Sequence, residues 1–207
     1  IVGLNRPVDK NTADKISQIF VEAVIAPDFE KEALDILTKK PSIRLIRLAD
    51  FFQDDEEYTY RQVPGGFLVQ TVNSKKVTKE ELSFVTNKKP AKNKLNEILF
   101  AFQIVKHVKS NAIVLVKDHQ LVGVGAGQMS RIDAAENAFK KAGDKAKGAI
   151  LASDAFFPFK DTVELAAGHG ITTIIQPGGS KRDQESIDAC NAHDMEMIFT
   201  GVRHFKH

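Results

Sequence analysis

Five segments of this 207-residue chain hold the residues best suited to chemistry. GAGQMSRID (125–133) sets two glycines ahead of a serine that can open a helix. Gly125 and Gly127 let backbone approach a ligand closely, and the free amides and positive dipole end of a helix starting at Ser130 favour an anion. Arg131 adds a forked donor for phosphate or carboxylate in that first turn. The same residues also read as a glycine turn, a cap and a surface arginine, and their spacing is not the G-x-G-x-x-G of dinucleotide sites. SDAFFPFKD (153–161) crowds three phenylalanines and a proline between two aspartates. Pro158 lacks an amide donor and biases Phe157 towards extended backbone, so the run is not mid-helix; nor does it alternate like a half-buried strand. Such a loop makes a wall for a flat heterocycle, or else a hydrophobic plug. Asp161 with Glu164 is also N-capping chemistry. QPGGSKRDQE (176–185) repeats the strand, glycine loop and helix order, with Ser180 or Asp183 as cap and Lys181 between them. Asn111 stands where a helix hands over to a strand and can cap or turn there. TGVRHFKH (200–207) ends the chain. His204 and His207 read as a solvated tail, whereas Val202 and Phe205 suggest a packed end that holds Arg203 in place.

The elements that position these segments follow from periodicity. Ile16, Ile19, Phe20, Ala23 and Val24 give helical spacing over 10–26, and a second helix through FEKEALDILTKK ends before Pro41. IRLIRL (43–48) reads as a strand, and YTYRQV and GFLVQT, flanking Pro64-Gly65-Gly66, as paired strands. The polar stretch 72–92 reads as a connection with a short helix and as the subdomain boundary. Beyond it the pattern predicts a helix over 93–108 and strands over 112–116 and 121–125, joined as an antiparallel hairpin. A helix over 130–147 follows, with Ser130 as N-cap and Asp133 completing a capping box. Strands at 148–153, 172–176 and 195–199 alternate with helices at 161–167 and 183–193. That alternation implies parallel strands sandwiched between helices. Ligands in open α/β sheets collect outside the carboxyl ends of parallel strands, where the first three segments lie.

Composition narrows the class. Hydrophobic residues make up 43% and charged residues 27% of the chain, as in soluble globular proteins. A net charge of +2 from 29 basic and 27 acidic residues is too balanced to imply nucleic acid or an anionic membrane as the main partner. Cys190 is the one cysteine, which permits no intrachain disulfide and fits a reducing, cytoplasmic setting. It also counts against a zinc deaminase, which needs His/Cys/Cys or three Cys ligands with a P-C-x-x-C motif. No apolar run approaches the ~20 residues of a membrane helix, and no signal peptide is visible. The opening IVGLNRPVD, without an initiator methionine, leads us to expect a processed chain or a fragment.

Taken together, VKSNAIVLVKDHQLVGVGAGQMSRID, ASDAFFPFKD, IIQPGGSKRD and TGVRHFKH resemble the AICAR transformylase/IMP cyclohydrolase family of purine biosynthesis, in its bacterial form. IVGLNRPVD and IAPDFEKEALDIL extend the resemblance to essentially the whole chain. It implies an α/β fold of cytidine-deaminase-like type, three-layer α/β/α with a mixed sheet. Residues 1–92 would be the C-terminal part of the first transformylase subdomain with its connection, and 93–207 the complete second subdomain. The implied reaction transfers a formyl group from the co-substrate 10-formyltetrahydrofolate to the 5-amino group of the aminoimidazole carboxamide ribonucleotide, AICAR. By resemblance Ile132, Phe156, Asp161, Ser180 and Lys181 border the folate, and Asn111, Arg131 and Arg203 face AICAR. Asn111 is the candidate donor to the oxyanion, and the site is usually built across a homodimer interface. A structural monovalent cation is left open, and no zinc is implied. One departure matters. The family's Lys-His pair, in an F-K-H-x-x-P context with the histidine as base, lies upstream of the IVGLNRPVD-like stretch and is absent here. Lys106-His107 sits in a different context, inside the helix before Asn111. The cyclohydrolase domain is missing too. The expectation is a C-terminal transformylase fragment with about half of the site residues, inactive alone; the competing reading is a folded module that only binds ligand or dimerises.

Overall fold

The computed structural model describes residues 1–49 and 58–206; His207 lies outside the described residues. The chain forms two compact units, Ile1–Val72 and Asn73–His207. In the first, β1 (Val2–Gly3), β2 (Ala23–Ala26) and β3 (Arg44–Arg47) make a parallel sheet in that order. Helices α1 (Lys10–Ser17) and α2 (Lys31–Leu37) form the crossovers. Asp9 caps α1 by accepting from the Thr12 amide at 2.7 Å. The helical spacing read through 10–26 overruns this helix. Ile19 and Phe20 are 56% and 89% exposed, and Ala23 and Val24 belong to β2. Val21, Val24 and Ile25 are β-branched and favour extended backbone, so the chain leaves the helix before them. Helix α2 stops ahead of Pro41 as its sequence requires. Strands β4 (Tyr58–Val63) and β5 (Gly66–Thr71) pair antiparallel, turning at Gly65 with φ +85°.

The second unit is a six-stranded mixed sheet, helical on both faces. It contains β6 (Ser83–Phe84), α3 (Leu95–Val105), β7 (Ile113–Lys117), β8 (Gln120–Gly125), α4 (Arg131–Ala142), β9 (Ile150–Ser153), α5 (Asp161–Gly168), β10 (Thr173–Gln176), α6 (Asp183–Ala192) and β11 (Glu196–Phe199). The strand order is β6-β11-β10-β9-β7-β8. From α3 onward the element order matches the sequence expectation. Alternation divides each strand between two cores. Val114 and Val116 pack with Phe102 and Val105 of α3, while Ile113 and Leu115 pack with Phe139 of α4 and Val163 of α5.

Two boundaries and one glycine differ from expectation. Residues 73–92 lie in the second compact unit rather than with 1–72. They are tied there because Phe84 pairs with Ile198, the Thr86 hydroxyl accepts from the Met197 amide at 2.9 Å, and Leu82 is buried in the α3-side core. Helix α4 ends at Ala142, before Gly143 at φ +53°, instead of running to 147. Gly125 has a packing role: a Cβ there would lie 1.8 Å from the Ala134 carbonyl oxygen, so the glycine is what lets α4 lie against β8.

Candidate active-site edge of the second unit

Strand direction gathers the candidate residues. β9, β10 and β11 are mutually parallel, while β7 is antiparallel to both β8 and β9. Strands β8 to β11 therefore end at one edge of the sheet, and β7 begins there: Ile113 stands opposite both Gly125 and Ser153. The loops 126–130, 154–160 and 177–182 and the tail after Phe199 leave from that edge, with Asn111 entering it. Asn111 thus reaches the edge from the amino end of a strand, which the carboxyl-end rule alone does not predict.

Asp154 is the hub of the edge. It is fully buried. Its Oδ1 accepts from Arg131 Nη1 at 2.6 Å and from the Ala112 amide at 3.2 Å. Its Oδ2 accepts from Ser110 Oγ at 2.5 Å, and its carbonyl accepts from the His204 amide at 2.9 Å. One residue thus joins the starts of β7 and α4, through its carboxylate, to the C-terminal tail, through its carbonyl. Arg131 is buried as well, which corrects the surface-arginine reading. Its remaining bonds run from Nε to the Phe156 carbonyl (3.0 Å), from Nη1 to Ser153 Oγ (3.3 Å) and from Nη2 to Asn111 Oδ1 (3.0 Å). Of five guanidinium N–H donors, four find partners among the described residues.

Asn111 is held through its whole amide. Nδ2 donates to the Gln128 and Met129 carbonyls at 3.0 and 3.2 Å, and Oδ1 accepts from Arg131 Nη2. The Ser110–Asn111 peptide is cis. The phenylalanines of 153–161 split three ways. Phe157 is fully buried core. Phe156 is half-buried, with the Arg203 guanidinium 5.6 Å from its ring centroid. Phe159 is half exposed, with Arg182 4.9 Å from its ring. Ile132 follows Arg131 in α4 and is half-buried. Arg203 and Lys181 are exposed.

The expected caps shift. Asp161 is exposed and is the first residue of α5, where Lys160 holds the cap position. Asp161 Oδ1 accepts from the Thr162 amide at 2.6 Å, and Glu164 turns instead to His193 at 2.6 Å, so no D-x-x-E box forms. Ser130 does cap α4, accepting from the Asp133 amide at 3.1 Å. Ser180 Oγ accepts from the Arg182 amide at 3.1 Å, and Asp183 from the Gly179 amide at 2.6 Å.

The tail is packed rather than solvated. His204 is buried against Phe102 (ring centroids 4.8 Å apart), and its Nδ1 lies 2.8 Å from Asn73 Nδ2. An amide nitrogen only donates, so Nδ1 accepts and the proton of the neutral ring sits on Nε2. Burial, with Lys106 and His107 nearby, pushes the His204 pKa down to about 4, with Asp154 opposing. Lys106 is buried too, donating to the Lys75 carbonyl at 3.0 Å, and burial lowers its pKa, Lys76 adding to the effect. The neighbouring His107 ring lies instead 3.3 Å from Gln103. Among the described residues no group of three or more His, Cys, Asp or Glu side chains is placed to hold a metal ion, and no helix is long and apolar enough to cross a membrane.

A stability signature follows from His204. Its folded pKa lies below the unfolded value near 6.5. Above pH 6.5 both states are neutral. As pH falls towards 4 the unfolded chain takes the proton first, so stability drops by about 1.4 kcal/mol per pH unit. Between pH 6.5 and 5, where ordinary carboxylates remain ionised, that amounts to about 2 kcal/mol. Denaturant melts of wild type and His204→Gln across this window check it: the variant should show a flatter decline. An unchanged slope would assign the acid sensitivity to other groups.

Ser110 and Asp154 carry this edge, yet sequence reasoning singled out neither, and His204 was left between a solvated tail and a packed end. The available signal was an aspartate after an apolar run closed by one serine, AILASD, which has to be paired if it is buried.

The edge defines the class: a mixed α/β sheet protein with a buried ionic hub where its strand ends converge. The family model for the AICARFT/IMPCHase bienzyme matches residues 1–141, and the chain belongs to that family. Its relatives include three described as bifunctional purine biosynthesis protein PurH. That of Oceanobacillus iheyensis is 58% identical over all of this chain and 41% of its own length. That of Acetivibrio thermocellus is 54% identical, covering 100% and 41%, and that of a Thermoanaerobacter species 53%, covering 100% and 40%. The chain thus spans about two fifths of the length of these relatives. Among solved structures, Acinetobacter baumannii RibD, form 1, aligns with 51% of this chain and 33% of its own at 19% identity and a TM-score of 0.38, too low to define a shared fold.

Proposed function

We propose that this edge is part of the formyl-transfer site of the bienzyme, where 10-formyltetrahydrofolate meets AICAR. On this reading 93–207 is the second cytidine-deaminase-like subdomain, 1–72 the end of the first, 73–92 the connection packed into the second unit, and the working protein a cytoplasmic homodimer. The observation that carries the reading is the convergence of Asn111, Arg131, Phe156 and Arg203 on one edge, around Asp154, in a chain of this family. The AICAR amine is a weak nucleophile because its lone pair is delocalised into the imidazole and carboxamide. Its nitrogen attacks the formyl carbon, the carbonyl oxygen becomes an oxyanion, the nitrogen loses a proton, and the bond to folate N10 breaks as N10 takes a proton. Asn111 donates an amide hydrogen to that oxyanion on this reading, giving up its bond to the Gln128 or Met129 carbonyl. Arg131 acts chiefly by holding Asn111 Oδ1 and faces AICAR. Arg203 serves AICAR, and Phe156, Ile132, Asp161, Ser180 and Lys181 line the folate. The base that takes the amine proton comes from outside this chain.

Phe156→Ala in the complete bienzyme tests the folate wall. Loss of an aromatic contact costs about 0.5–1.5 kcal/mol beyond the lost apolar burial, so the folate KM should rise roughly ten-fold with a smaller change for AICAR. A large fall in Tm with the two KM values in an unchanged ratio would make Phe156 a core plug and overturn the wall.

A further inference from the structure

Arg203 reaches its place on a short irregular tail: residues 200–206 form neither helix nor strand. Its guanidinium stands 5.6 Å from the Phe156 ring centroid, a weak hold on an exposed side chain. A free arginine has many rotamers to lose, so its aim depends on how firmly the backbone beneath it is fixed. On the amino side the ties are the Thr200 and Gly201 amides, which donate to the Gln176 and Pro177 carbonyls at 3.1 and 2.9 Å. On the carboxyl side the tie is the very next residue, His204. Its amide donates to the Asp154 carbonyl, and among the described residues after Thr200 its side chain is the buried one. The ring packs on Phe102 and accepts on Nδ1 from Asn73 Nδ2 at 2.8 Å. Asn73 opens the second unit, so this bond joins the first residue of that unit to a tail 131 residues further on. Beyond it Lys206 and Ser110 exchange bonds: the Ser110 amide donates to the Lys206 carbonyl at 2.8 Å, and the Lys206 amide to Ser110 Oγ at 3.0 Å.

We infer that His204 is a positioning residue for formyl transfer: seated between Phe102 and Asn73, it fixes the backbone of Arg203 so that the guanidinium stands beside Phe156 before AICAR arrives. The inference rests on the reading of Arg203 as an AICAR ligand. The His204 ring is buried against α3, so it acts through its neighbour and not on substrate. A group held in its binding geometry beforehand loses less freedom when the ligand comes. The effect of the tether therefore falls on affinity for AICAR, while the folate is left alone.

Steady-state kinetics of the complete bienzyme test this with Arg203→Ala, His204→Ala, their double variant and Asn73→Ala. His204→Ala should raise the AICAR KM about ten-fold with kcat and the folate KM within about two-fold of wild type, the split expected of lost ground-state positioning. Asn73→Ala removes only the bond to the ring and should raise the AICAR KM about three-fold. The double variant should bind AICAR no worse than Arg203→Ala alone, because the tether then has nothing to position. His204→Asn, which keeps an acceptor near the place of Nδ1, should recover part of the loss. An additive double variant would overturn the inference, as would an AICAR KM unmoved in His204→Ala or a parallel rise of both KM values, which would make His204 a structural plug. Asn73 is exposed, so its variant keeps the fold and decides alone if His204→Ala misfolds: an unmoved AICAR KM there overturns the inference. An AICAR KM unmoved in Arg203→Ala is a separate outcome that removes the assignment of Arg203 to AICAR, and the inference with it.

Discussion

Asp154→Ala should destabilise this chain by about 3–5 kcal/mol, the usual loss when one partner of a buried ion pair is removed. The substitution leaves the Arg131 guanidinium, whose side chain is 7% exposed, without its counter-charge. It also orphans the Ala112 amide and the Ser110 hydroxyl, each a buried or part-buried donor that then lacks its acceptor. A thermal shift on the order of 10 °C corresponds to this loss in a chain of this size. The double variant Asp154→Ala/Arg131→Met should recover part of it, because removing both charges avoids the unpaired one. Denaturant melts of the four proteins in the cycle measure the coupling. A loss below 1 kcal/mol in the single variant would mean that the pair is open to water and that Asp154 is no hub.

Asn111→Ala, made in the complete bienzyme, should lower kcat for formyl transfer by about 10²–10³-fold with little change in either KM. That split is expected of a donor acting on charge that exists only in the transition state. The bonds of the amide explain why the effect should be large: Oδ1 accepts from Arg131 Nη2 at 3.0 Å, which fixes the plane of the amide, while one Nδ2 hydrogen exchanges its loop carbonyl for the oxyanion as that charge forms. A brace for the 128–129 loop, with no catalytic part, would instead raise the KM values or lower Tm while sparing kcat.

The sheet of the second unit was legible because its signals are local. Apolar runs such as AIVLV and TTIIQ, punctuated by glycine and proline, fix strands and helices within a few residues, and the strand ends then mark one edge. Three strands escaped for equally local reasons. β2 hides in a run whose apolar spacing also suits a helix, and β1 and β6 are each two residues long, too short for any periodicity to register. The hub escaped for a different reason. Asp154 meets Ser110 and Arg131 across long stretches of chain, so nothing near it in sequence announces its partners. Arg131, in a first helical turn, resembles a solvent-facing cation until the end of β9 is seen to enclose it.

Amide hydrogen exchange of the complete bienzyme, measured with and without AICAR and a non-reactive folate analogue together, tests most directly whether this edge is the formyl-transfer site. The account predicts added protection concentrated in 110–112, 126–132, 154–161, 177–182 and 200–206, with the helix-packed interiors of β9 and β10 unchanged. Protection that falls elsewhere in this chain, or saturated ligands that leave these five segments untouched, would contradict it.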